Sequence, residues 1–171
     1  MLSEISFFLS IAFSLLAWGI VIARYVWPRL RDLPRPDALR PLLILHSFRF
    51  AGLAFLVPGV VAASLPPDFA HGAAYGDLGA AVLALVALSA QSHRVGVPLV
   101  WLFNVWGTVD LLTAFYLAGT NGLMPGQLGA TYFIPTLVVP MLMITHVVIF
   151  RLLLSPSLDA GLSLDPALVN R

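Results

Sequence analysis

Runs of apolar residues long enough to cross a bilayer, roughly 20 at the rise of an α-helix, occur five times along this chain. They cover residues 5–27, 41–64, 76–90, 98–119 and 130–154, the third being short unless it begins near Ala73. The breaks between them carry turn and breaker residues. Residues 28–41 hold four prolines and four arginines, and residues 65–76 open with Pro66 and Pro67. Residues 91–97 form a tight link before Pro98, while 120–129 contain Asn121-Gly122 and Pro125-Gly126. Short connections force sequential helices to run antiparallel. The pattern predicts an all-α integral membrane protein: a single bundle of five transmembrane helices over residues 1–154 and a short cytoplasmic tail at 155–171.

Arginine sets a direction for this bundle. Arg29, Arg31, Arg35 and Arg40 lie in the first connection, with Arg24 just before it. Arg94 lies in the third connection, and Arg151 and Arg171 lie at the C-terminal end. The N-terminal end and the second and fourth connections hold no basic residue. By the positive-inside bias the N-terminus is outside and the C-terminus cytoplasmic. Tyr25 and Trp27 beside Arg24 form an interfacial anchor at the inner end of the first helix. Met1-Leu2-Ser3-Glu4 lacks the positive start of a signal peptide, so the first helix is expected to be retained.

Composition agrees and narrows the function. Apolar residues make up 60% of the 171 and charged ones 10%, against about 25% charged in a soluble domain. Mean hydropathy is +0.95. A formal charge of +1 with no separate basic run argues against a nucleic-acid partner. With no cysteine there are no disulfides, thiolate metal sites or cysteine nucleophiles. All nine basic residues are Arg, which removes lysine Schiff-base chemistry and suits a GC-rich bacterial gene. The expected setting is the bacterial inner (plasma) membrane, with the chain a multi-pass protein in contact with lipid.

Against this background the ionisable residues within the spans stand out, because each carries a desolvation cost. They are His46, Arg49, Asp110 and His146. At about 1.5 Å per residue, His46 lies about 7–8 Å inside from Pro41, and His146 about 7–8 Å inside from Arg151. The two imidazoles thus fall at one level, in the cytoplasmic half. Arg49 is one turn deeper than His46 and on its face. Asn104, Gly107, Asp110 and Ala114 form a narrow face of small and polar residues on the fourth span, suited to close packing. Facing stripes let Arg49 reach Asp110 as an ion pair between the second and fourth helices.

Other polar residues have plainer roles. Asp77 reads as an N-cap or first-turn acid of the third helix. Asp68, His71 and Tyr75 read as parts of a solvated outer loop, although an Asp–His pair three apart also has the spacing to touch a metal. Pro58, Pro135 and Pro140 interrupt apolar helices and predict bends. There is no HExxH helix, Walker loop or GxSxG elbow.

These residues support several readings. The leading one is a small, non-enzymatic ligand-binding or accessory protein. Its polar cluster of His46, Arg49, Asn104, Asp110 and His146 holds the bundle and receives a small or amphipathic ligand from the cytoplasmic leaflet. Five helices make a thin wall for a transport path, so a homo-oligomer or membership of a larger membrane complex is expected. A second reading takes His46 and His146 as axial ligands of a b-type haem, with Arg49 facing a propionate. A third is an intramembrane enzyme acting on a lipid or isoprenoid. A fourth is a proton or ion pathway through Asp110.

Overall fold

The computed structural model describes residues 2–155, all of whose regular structure is helical. Five helices are long and apolar enough to cross a membrane. They are α1 (Leu2–Leu30), α2 (Arg35–Leu56), α3 (Pro67–Ser89), α4 (Gly96–Thr120) and α5 (Ile134–Leu154). The expected tail falls outside the described residues beyond Ser155.

Helices α2 and α3 depart from the boundaries the sequence predicts, for reasons of helix chemistry. Helix α2 starts at Arg35 rather than Pro41, because Pro36 occupies the first turn, where proline has no intrahelical N–H bond to lose. It also ends early. From Phe48 to Leu56 it narrows into a 3-10 helix, whose rise of about 2.0 Å per residue covers more depth per residue than an α-helix. Pro58 therefore lies beyond the helix instead of bending it. Helix α3 begins at Pro67 rather than Gly76, again with proline in its first turn and Asp68 beside it. Asp68, His71 and Tyr75 are accordingly helical residues, not an outer loop.

Helix α3 packs on α2 and α4, while α5 packs on α1, α2 and α4. The face that α3 buries is built from Ala70, Ala73, Ala74, Ala80, Ala81, Ala84 and Ala87, whose small side chains let neighbouring backbones approach. Helix α1 is peripheral: only 11% of its apolar window is buried, against 44% for α5. A π-helical turn at Ile22–Val26 interrupts α1, and another at Ile134–Val138 opens α5, where Pro135 sits in its first turn.

The buried core is split in two. One apolar cluster, including Leu39, Leu43, Val100, Phe103, Ile149 and Leu152, lies toward the arginine-rich end. The other, including Phe55, Phe69, Ala73, Ala74 and Leu128, lies toward the end holding the N-terminus. The arginine-rich connections are neighbours in space, since Arg35 donates to the Ser155 carbonyl and Gln91 to that of Pro36. Arg151 stacks over the Trp27 ring at 5.8 Å, joining the same ends of α1 and α5. At the opposite end, the segment after α2 pairs with the 3-10 segment Pro125–Tyr132. Ala62 N–H donates to the Gln127 carbonyl, and Ala130 N–H to that of Val60. Gly129 permits this approach: its φ of 53° is left-handed, and a Cβ would strike the Val60 carbonyl.

Candidate functional site

Between the two apolar clusters lies a polar layer centred on Arg49. The change to a 3-10 helix just before it sets its direction. At three residues per turn, positions 49, 52 and 55 eclipse, and Arg49, Gly52 and Phe55 are the buried residues of that segment. The Arg49 side chain is fully buried. Its Nε donates to Asp77 Oδ1 on α3 at 2.7 Å, and its Nη2 to Asp110 Oδ2 on α4 at 2.5 Å. Its Nη1 lies 3.2 Å from both the Gly107 carbonyl and His146 Nε2. Four of the five guanidinium N–H donors are thereby used on three other helices. One side chain ties α2 to α3, α4 and α5.

Three glycines make the room. A Cβ on Gly52 would run into the Asp77 carboxylate, and one on Gly76 into that of Asp110. A Cβ on Gly107 would sit 2.6 Å from His146 Cε1 and 2.8 Å from Arg49 Nη1. The ion pairs thus depend on missing side chains on α2, α3 and α4.

Hydrogen-bond polarity fixes the state of His146. A guanidinium only donates, so His146 Nε2 must accept from it. The proton then sits on Nδ1, which donates to Asn104 Oδ1 at 2.7 Å. Asn104 Nδ2 in turn donates to the His146 carbonyl at 3.2 Å. The orientation of this asparagine is consistent throughout. His146 is a neutral acceptor that steadies the guanidinium, and Asn104 steadies His146.

His46 is held less well. Its Nε2 meets Thr145 Oγ1 at 3.0 Å, while its Nδ1 is buried without a partner. Its ring lies 4.3 Å from that of His146 and 5.1 Å from that of Phe103, centroid to centroid. This arrangement does not fit the haem expectation. Two imidazoles in van der Waals contact leave no plane for a porphyrin, and both His146 nitrogens are already engaged. Among the described residues no group of three or more His, Cys, Asp or Glu is placed to hold a metal.

All five residues singled out in the sequence, His46, Arg49, Asn104, Asp110 and His146, meet in this one layer. Asp77 is not the helix-end acid that the sequence predicts. It lies in the interior of α3, 7% exposed, and is the second carboxylate on Arg49. Its position within a run of small residues at helical spacing, from Ala70 to Ala84, was the available signal.

The layer also closes a cavity of about 390 Å³. Asp77 and Asp110 line its deep end. Phe7 and Phe8 of α1, Phe55 of α2, Phe69 of α3 and Phe115 of α4 line its walls, and Glu4 also borders it. Leu123, Pro125 and Leu128 place it in the half of the bundle that holds the N-terminus. On the arginine-rich side the layer is packed with Phe103, Leu43 and Ile149. Asp110 also borders a second, shallower groove along the outer face of α4, beside Trp106 and Val109.

No curated protein and no solved structure matches the chain. A family model does match it, that of a domain of unknown function, DUF8737, over residues 6–154, and the chain belongs to that family.

Proposed function

We propose that this is a multi-pass protein of the bacterial inner membrane that binds a small amphipathic ligand and is not an enzyme. The sorting of arginines supports an outside N-terminus and a cytoplasmic C-terminus. In that orientation the cavity belongs to the outer half of the bundle. The observation that carries the reading is the cavity itself. Its volume lies in the range of small-molecule sites, its walls are aromatic and aliphatic, and Asp77 and Asp110 meet at one end. The polar groups at that end are held by Arg49 and have no nucleophile–base pair among them, which favours binding over chemistry. Five helices, with α1 packed at the edge, also suit a protein that works as a homo-oligomer or beside a partner in a membrane complex.

A direct test is the binding of 4-phenylbutan-1-ol to purified protein in detergent micelles, followed by intrinsic tryptophan fluorescence. Saturable binding is expected, and Ala114→Phe, which fills the cavity from α4, should abolish it. Equal binding by the filled variant would refute the cavity as the site.

A further inference from the structure

The charges at the deep end of the cavity do not balance. Asp77 and Asp110 share a single guanidinium, and His146 is fixed as a neutral acceptor by the bond it takes from Arg49. With both carboxyls ionised, one negative charge is left over in a low-dielectric layer, which is costly unless a proton or a cation joins it. Each carboxylate uses one oxygen on Arg49; the second accepts no hydrogen bond from a described residue. Asp77 is 7% exposed, and both acids border the cavity. Five phenylalanines line the walls above them, and aromatic faces attract cations through their quadrupole.

From these placements we propose that the ligand is a lipophilic monocation, an ammonium with an apolar tail, which occupies the cavity in exchange for one proton on the Asp77–Asp110 pair. This rests on the ligand-binding reading above and names the ligand's class. In the empty site one carboxyl holds a proton and the layer is neutral. When the cation enters, its positive charge replaces that proton, which leaves to water, and the layer is neutral again. The apolar tail lies among the phenylalanines and the cationic head rests against the acids. The charged or titratable groups facing the pair are Arg49 from α2 and His146 from α5, with Glu4 of α1 also bordering the cavity. His46 lies behind His146. Arg49 stays charged and His146 stays an acceptor, so within the layer the exchange falls to the two carboxyls.

The test compares a permanent cation with a neutral ligand of similar shape on the full chain in micelles. Phenylbutyltrimethylammonium and 4-phenylbutan-1-ol are titrated calorimetrically in two buffers of different ionisation enthalpy, across pH 5 to 8. For the cation, the acid side of the profile should show close to one proton released per ligand bound. Its apparent affinity there should fall by about tenfold per pH unit, as exchange with one proton requires. The alcohol should bind without proton release and with little pH dependence. Asp110→Asn, which removes the surplus charge while keeping the shape, should weaken the cation at least tenfold and abolish its proton release. Binding of the alcohol without the cation, or of the cation with no proton released at any pH, overturns the exchange and leaves the cavity reading standing. If neither ligand binds, both fall. The wild-type proton count decides the matter even if the Asn variant does not fold.

Discussion

Replacing Arg49 by Met should be among the most damaging single changes in this protein. The guanidinium makes four hydrogen bonds to three helices, two of them to carboxylates whose side chains are 11% and 12% exposed. Methionine keeps much of the volume but leaves both acids without their cation. Breaking a buried ion pair by removing one partner costs about 3–5 kcal/mol, most of it from the stranded charge. That is roughly a 10²- to 10⁴-fold fall in the folded-to-unfolded ratio. Equilibrium unfolding in mixed micelles with rising SDS, read by tryptophan fluorescence, measures it. The same reasoning predicts a rescue: Arg49→Met combined with Asp77→Asn and Asp110→Asn should recover at least half of the loss, because the stranded charges are gone. A single-variant loss under about 1 kcal/mol, or no recovery in the triple variant, would refute the view that Arg49 holds the bundle by charge.

Other outcomes follow from the same geometry. Gly76→Ala and Gly107→Ala should each destabilise by about 1–3 kcal/mol through overpacking. Gly19→Ala, where a Cβ meets nothing within 4 Å, should stabilise α1 by about 0.5–1 kcal/mol in the same assay. His46→Leu should cost under about 1.5 kcal/mol, since it removes an imidazole with an unpartnered nitrogen. His146→Leu should cost more, because it strands an N–H of Arg49 and the amide of Asn104. The chain has no native cysteine, so single cysteines report orientation cleanly. Gln91→Cys should react with an impermeant maleimide only after the membrane is opened, and Asn121→Cys in intact cells; the reverse pattern would invert the assigned orientation.

Much of this arrangement was legible in the sequence because helical rise converts position into depth. His46 and His146 were matched in level by counting from Pro41 and Arg151, and their rings touch. The i, i+3 spacing of His46 and Arg49 pointed toward α4, although the segment's 3-10 form, which makes that spacing eclipse, was not visible in it. What failed had physical causes. Prolines were read as breaks where Pro36 and Pro67 begin helices, so α2 and α3 were started late. The late start of α3 put Asp77 at a helix end, where an acid needs no buried partner, and hid the second carboxylate. The cavity could not be read at all, since it depends on how α1, a helix with little buried surface, leans against the half of the bundle that holds the N-terminus.

One buried guanidinium, held by two acids, closes the deep end of the cavity. Nitrogen-15 spectra of the arginine Nε–H groups in bilayers test it most directly, because the other arginines among the described residues lie in polar connections or toward helix ends. One Nε–H resonance should survive long exposure to deuterated water, vanish in Arg49→Lys, and move when 4-phenylbutan-1-ol is added. Uniform exchange of all nine, or a protected resonance indifferent to the alcohol, would contradict the account.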